Sequence, residues 1–394
     1  MDETRSAELV EFCRNLIRAR SYSGQEAEAA AVLADEMRAL GYDEVVVDRY
    51  GSVIGTINGN RPGPTVLFDG HIDTVPAENA EKWTYPPFEA RIADDRIYGR
   101  GTSDMKGADA AFTKAVAWFA ADRDRDFAGK ICVAGVVQEE CFEGVASRSV
   151  SSITKPDYVI IGESSRCNLK IGQRGRAEIK IETHGVPAHS ANPEMGVNAV
   201  YTMCDVIGRV RELVPTEHPV LGKGILELVD IKSEPYPGAS VVPESCSATY
   251  DRRLLTGETP ASVLAPVSKA LEELGEDDPA LSATAHFTRA QETCYTGETI
   301  SAERFFPGWL FDRDADWVQA IKAKLDEKGF FPEITQYNFC TNGSHYAGEA
   351  GIRTIGLGPS REDLAHTVDE YIEISELAKA AECYYGVLEA LLLG

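Results

Sequence analysis

No stretch of this chain is apolar for anything like the roughly 20 residues a membrane-spanning helix requires. Cysteines are never paired along the sequence. The nine of them, an odd number, lie scattered with no Cys-x-x-Cys spacing. That argues against a disulfide framework and against a thiolate zinc site. Positive charge is scarce: 39 Lys and Arg stand against 63 Asp and Glu, a formal net charge of −24. Nucleic acid and anionic membranes both need a basic face, so neither is an expected partner. The acidity is spread out and reads mainly as solvated surface. The opening "MDETRSAELVEF" is acidic and lacks a secretory apolar core, so the expected location is cytoplasmic. Repeats and low-complexity tracts are absent too.

The 394 residues suffice for two domains and a large core. Leu9, Phe12, Cys13, Leu16 and Ile17 recur at helical spacing. "SGQEAEAAAVLADEMRALGY" predicts a second helix, capped by Ser23 and stopped at Gly41. Strand-like runs follow ("EVVVDRY", "SVIGTI", "TVLFDG"), then a helix ("GADAAFTKAVAWFAA"), then buried strands ("KICVAGVVQEE", "DYVIIGES"). Such alternation predicts an α/β layer whose sheet is mostly parallel and flanked by helices. Near residue 175 the texture changes to half-exposed alternation in "RAEIKIETHG". From there the order is strand, helix, strand, strand, helix, strand, the split βαβ (ferredoxin-like) pattern. The expected organisation is one domain formed by 1–175 and 296–394, with residues 176–295 inserted in it.

Chemistry in open α/β sheets gathers at the carboxyl ends of strands. "VLFDGHIDTVP" ends an apolar strand with His71 and Asp73. "YGRGTSDMKGADAA" places Asp104 in a glycine-bounded loop. "VAGVVQEE" ends in Glu139 and Glu140, "VIIGES" offers Glu163, and "GPSREDLAHTVDE" offers His366. A single acid at a strand end is commonplace. Five carboxylates at such ends are different, because if they converge each raises the pKa of the others. A bound cation relieves this. Imidazole with carboxylate is a normal zinc ligand set, and paired metals are a known hydrolytic arrangement. Two divalent ions would outweigh three carboxylate ligands and suit a hydroxide nucleophile; one would not.

"GHIDTVP", "WTYPPF" at Trp83–Phe88, "IYGRGTSDMKGADAA", "QEE", "GES", "GVPAHSANPEMGVNA" and "AHTVDEYI" together resemble the co-catalytic zinc hydrolases of the acetylornithine deacetylase, succinyl-diaminopimelate desuccinylase and aminoacylase family. The resemblance runs from about residue 6 onward and implies a zinc exopeptidase-like fold. Within the family the chain looks most like a branch named for a proposed link to selenium metabolism. The resemblance implies that His71, Asp104 and Glu163 hold one metal and that Asp104, Glu140 and His366 hold another, Asp104 bridging. Zinc is expected, with cobalt or manganese compatible. Asp73 is expected to fix the second nitrogen of the His71 imidazole. Glu139 is implied as the general base, pointing away from Glu140 because neighbours in a strand face opposite ways; the family order ranks this above the reverse assignment, with Glu139 as ligand and Glu140 as base. His189, in the inserted domain, is implied as an oxyanion donor reaching a partner's site in a homodimer.

Arg253 in "YDRRLL" matches the family's Asp-x-Arg and suits a substrate carboxylate. Asn342, Gly343 and Ser344 in "CTNGSHYAG" are expected near the substrate. Family members of known acyl preference often read Gly-Thr-Ser-Asp there, so no named substrate transfers. His345 is left open between substrate contact and loop histidine. Lys106 is expected in a structural ion pair or on the helix surface. The function implied is hydrolysis of the amide bond of an N-acyl-amino acid or short dipeptide, a small molecule with a free carboxylate. The alternatives are an N-carbamoyl or ureido-acid amidohydrolase and, from another class, an inactive metal-dependent binding protein. The intact Glu139 speaks against the last.

Overall fold

The strand Arg61–His71 is the spine of the larger of two compact units. The computed structural model describes residues 1–393. One unit comprises Met1–Gln173, Gln291–Ser301 and the chain from Leu310 onward. The other comprises Arg174–Ala290 and Ala302–Trp309. The chain thus returns to the larger unit near residue 291, goes back for a short strand, and returns again.

In the larger unit, Arg61–His71 pairs in parallel with Ala128–Val136 on one side and Tyr158–Ile161 on the other. Arg353–Gly356 continues the parallel run beyond Tyr158–Ile161. These four strands are the parallel centre; Val53–Asn58 and Glu44–Val47 extend one flank antiparallel. Val66, Leu67 and Phe68 are 0% exposed, each such burial being worth about 1.5–3 kcal/mol. Phe68 meets Phe112 and Tyr384 with ring centroids 5.9 and 5.4 Å apart. Those rings belong to the helices Gly107–Asp122 and Ile374–Leu392.

The first helix, Glu3–Arg18, buries the five residues read from its spacing. The second starts at Ala27, and its cap residue is Glu26, with no side-chain cap bond. Ser23 does not cap it, because its hydroxyl donates to Asp73 Oδ2 at 2.7 Å. Gly41 closes it in the left-handed region at φ 78°. Lys106 is neither on the surface nor ion-paired. It is fully buried, and its Nζ donates to the carbonyls of Leu16 (3.0 Å) and Ala19 (2.8 Å) at the end of the first helix. Burial pushes its ammonium down to about 8.

The smaller unit is an antiparallel sheet in the order Ile225–Glu234, Ser245–Leu254, Gly175–His184, Ser282–Phe287. Residues alternate buried and half-buried along Gly175–His184, as one covered face requires. Ile179, Ile181, Ala248 and Tyr250 of that face form a core with Met203, Val206, Val263 and Val267 of the helices Ala199–Val210 and Pro260–Asp277. Thr259 and Ser262 close a capping box on the second of these. Among the described residues no helix is long and apolar enough to cross a membrane.

Candidate metal centre

The four parallel strands end at one edge of the sheet, and each feeds a segment carrying site residues. His71 ends the first; Glu139 and Glu140 follow Val136; Glu163 follows Ile161; His366 lies ten residues past Gly356. Asp104 comes from the turn before the helix Gly107–Asp122, where its backbone is non-helical at φ −131°, ψ 88°.

These side chains converge. His71 Nε2 lies 2.9 Å from Asp104 Oδ1, 3.5 Å from Glu163 Oε1 and 4.0 Å from Glu139 Oε2. The other Asp104 oxygen, Oδ2, is 3.1 Å from His366 Nε2, which is also 3.1 Å from Glu140 Oε2. Asp104 therefore turns one oxygen to each histidine, the disposition a bridging ligand needs. Atoms bound tetrahedrally to one zinc sit about 3.3 Å apart, given metal–ligand distances of 2.0–2.1 Å. The separations from His71 to Asp104 and Glu163, and from His366 to Asp104 and Glu140, cluster around that value. Donor type and spacing both fit two divalent ions.

Electrostatics agree. Burial, with acidic neighbours added, holds Glu139 and Glu163 well above the usual carboxylate range and raises Glu140. Burial would also raise Asp104, but hydrogen bonds with His366 and His71 carry it below. Hydrogen bonds with Asp104 and Glu140 raise His366 to about 10. So many acids in one cluster call for positive charge, which a cation would supply.

Two details differ from the sequence-based expectation. His71 Nδ1 is held by the main-chain oxygen of Asp73 at 2.9 Å, while the nearer carboxylate oxygen is 3.6 Å away. The Asp73 carboxylate instead accepts Glu139 N (3.0 Å) and Glu140 N (3.2 Å). Nor do Glu139 and Glu140 face opposite ways in a strand. The strand stops at Val136, Gln138 is left-handed at φ 61°, and both acids follow in a turn. Glu139 keeps one oxygen, Oε1, buried and without a partner.

Asn342 and Ser344 are buried and engaged by the protein. Asn342 Nδ2 donates to Asp69 Oδ1 and its Oδ1 accepts Gly144 N, both at 2.9 Å. Ser344 Oγ accepts Gln173 Nε2 at 3.0 Å, and Gly343 N donates to Thr341 Oγ1 at 3.0 Å. His345 Nδ1 is bound to Glu349 at 2.8 Å. His189 and Arg253 belong to the smaller unit. His189 is exposed, its Nδ1 accepting Ala191 N at 3.0 Å. Arg253 pairs with Asp251 at 2.8 Å, and Arg252 turns to the buried face and meets Glu258.

Three buried acids stabilise the site without reaching its centre, and sequence reasoning passed over them. Glu370 receives the amides of Gly101, Ser103 and Asp104 at 3.1, 2.8 and 3.1 Å, and Arg100 at 2.7 Å. Asp69 holds Asn342 and, at 2.7 Å, the Tyr346 hydroxyl. Glu26 holds Gly24 N and Gln138 N. Their signal was present: Asp69 is a charge inside an apolar strand, and Glu370 stands four residues after His366.

Residues 67–390 match peptidase family M20/M25/M40. The protein YgeY of Escherichia coli strain K12 is 32% identical over 386 residues, covering 97% of this chain and 94% of its own. A succinyl-diaminopimelate desuccinylase of Hydrogenovibrio crunogenus is 28% identical over 412 residues, covering 98% of this chain and all (100%) of its own. The crystal structure of aminopeptidase PepT from Bacillus cereus shares the fold, with a TM-score of 0.76 at 22% identity and 98% of each chain covered. With this match and the converging ligand atoms of the strand-end cluster, the chain belongs to peptidase family M20/M25/M40 and is a metal-dependent hydrolase of amide or peptide bonds.

Proposed function

We propose that the chain cleaves the amide bond of an N-acyl-amino acid or short dipeptide, with Glu139 moving the proton. The observation that carries this reading is the buried Glu139 carboxylate, whose Oε2 lies 4.0 Å from His71 Nε2 and whose Oε1 has no hydrogen-bond partner. His71, Asp104 and Glu163 would hold one ion, and Asp104, Glu140 and His366 the other, with zinc preferred over cobalt or manganese. Ions of that kind supply Lewis acidity, which polarises a carbonyl and acidifies water. Glu139 takes the proton of the attacking water on its carboxylate and returns it to the leaving nitrogen. The Asp73 carbonyl keeps His71 in one tautomer and orientation. Asp73 also holds the turn that carries Glu139.

The reading extends to the smaller unit. Arg253 would receive a substrate carboxylate; in the larger unit, Asn342, Gly343 and Ser344 would contact the substrate. His189 would donate to the developing oxyanion from a second copy, in a cytoplasmic homodimer. The sheet edge at Ile225–Glu234 supports pairing of copies, since Val229 and Ile231 are exposed there. The N-carbamoyl alternative has no feature of its own in this site.

The test is a panel of N-acetyl, N-succinyl, N-carbamoyl and dipeptide substrates, D and L, with zinc-loaded protein. At least one amide should be hydrolysed, and Glu139→Gln should lower kcat about 10²–10⁴-fold at unchanged metal content. Retained activity in that variant, or loss of metal with it, refutes the assignment.

A further inference from the structure

The turn presenting Glu139 and Glu140 is gripped at three consecutive amides, and the third grip comes from outside the metal cluster. Asp73 holds Glu139 N and Glu140 N. Gln138 N donates to Glu26 Oε1 at 3.2 Å, across 112 positions of sequence. The same oxygen accepts Gly24 N at 2.9 Å. Glu26 is 0% exposed and its Oε2 has no hydrogen-bond partner. A buried carboxylate left half-satisfied works against stability. Helix capping does not account for it, since Glu26 makes no side-chain bond to the helix it precedes.

What Glu26 touches is the residue whose backbone is out of line. Gln138, a non-glycine residue, sits at φ 61°. Such conformations persist at functional sites only when the surroundings impose them. The Gln138 side chain offers little help: its Nε2 reaches Thr293 O at a long 3.5 Å and its Oε1 is unpartnered. The Gln138 carbonyl accepts Phe142 N at 2.9 Å, within the turn itself; the contact that reaches Gln138 from a distant part of the chain is the hydrogen bond from its amide to Glu26.

We propose that Glu26 is a positioning residue for Glu139: it pins the Gln138 amide, keeps Gln138 left-handed, and so turns the Glu139 carboxylate toward His71. This rests on the reading of Glu139 as the proton-moving group. What counts is an acceptor at the reach of Oε1, not the charge. Glutamine supplies that acceptor and places its amide nitrogen where Oε2 has no partner. Alanine removes it, and aspartate, one methylene shorter, cannot span Gly24 and Gln138 together.

The experiment compares zinc-loaded wild type, Glu26→Gln, Glu26→Ala, Glu26→Asp and Glu139→Gln. Activity is measured on whichever panel amide the wild type cleaves fastest. Hydrogen exchange is measured on the peptide spanning residues 137–141. Glu26→Ala and Glu26→Asp should lose 10–100-fold in kcat with KM within threefold, and exchange at 138–140 should quicken at least tenfold. Glu26→Gln should stay within threefold of wild type in both. If the alanine variant does not fold, the aspartate variant carries the same expectation. Unchanged kcat and exchange in the alanine and aspartate variants overturn the proposal. A glutamine variant as impaired as these two also overturns it, because charge would then be what matters. An active Glu139→Gln removes the role of Glu139 instead, while the exchange data still decide whether Glu26 pins the turn.

Discussion

Changing Asp73 to asparagine removes one negative charge and alters nothing in size, yet the structure makes it a severe change. The carboxylate receives three donors on two oxygens: Glu139 N on Oδ1, and Glu140 N and Ser23 Oγ on Oδ2, at 3.0, 3.2 and 2.7 Å. The residue is 0% exposed. An asparagine has one accepting oxygen. Placed at Oδ2 it keeps two donors, and its amide group then confronts the Glu139 N–H, donor against donor. The loss is one hydrogen bond to a charged acceptor, about 1.5–3 kcal/mol, with a buried N–H left unmet. About 3 kcal/mol against the productive turn corresponds to roughly 100-fold in kcat at 1.4 kcal/mol per decade. Metal binding should respond unequally. The His71 ring leans on the Asp73 main chain, which the substitution leaves in place, so the ion held by His71 and Glu163 should remain. An ion held by Glu140 should weaken modestly, because the Glu140 amide keeps its acceptor only as a neutral amide oxygen and sits next to the freed Glu139 amide. Steady-state kinetics with zinc titration by a competing chelator measures both. Loss of both ions together, or kcat within threefold of wild type, would refute the reasoning.

Lys106→Met should lower the stability of the protein by about 2–4 kcal/mol in chemical denaturation, because the carbonyls of Leu16 and Ala19 lose a charged donor; a variant as stable as wild type would contradict this. Burial tends to raise Glu349, but hydrogen bonds from His345 and Arg148 lower it to about 2. A depressed carboxylate stabilises the folded state above its unfolded value near 4.5 and ceases to as pH falls toward 2. With solvent screening, wild type should therefore exceed Glu349→Gln by about 1–2 kcal/mol at pH 7, and acid titration of unfolding should show the gap closing between pH 4.5 and 2. Gly358→Ala should impair zinc binding, since a Cβ there would lie 1.9 Å from the Gly162 oxygen and 2.4 Å from that of Glu163; a zinc titration matching wild type would show the backbone can yield.

The residues that converge at the strand ends were legible in the sequence because their chemistry lies in residue identity. An imidazole or carboxylate following an apolar strand stands out wherever the strand is recognised, and His71, Glu140 and Glu163 each do. The strand Gly175–His184 was legible by its alternation, as in "RAEIKIETH". The grips of Glu26, Asp73 and Glu370 were not, because they close on main-chain amides, and every residue offers the same amide. Only the fold reveals which carboxylate meets which amide. The same cause explains Ser23, whose hydroxyl suits a helix cap and an aspartate equally well, and Lys106, whose partners are carbonyls. The strand-based expectation for Glu139 and Glu140 failed on one backbone angle, at Gln138, for which no glycine or proline gave a sign.

The grip of Glu370 bears on biosynthesis. The loop bearing Asp104 takes three main-chain bonds and an arginine contact from a residue some 266 positions later in the chain. A growing polypeptide that has already emerged past His71, Asp104, Glu140 and Glu163 thus still lacks the brace for the Asp104 loop. If the strand-end cluster binds ions, capture at full affinity would await translation of the 366–370 segment.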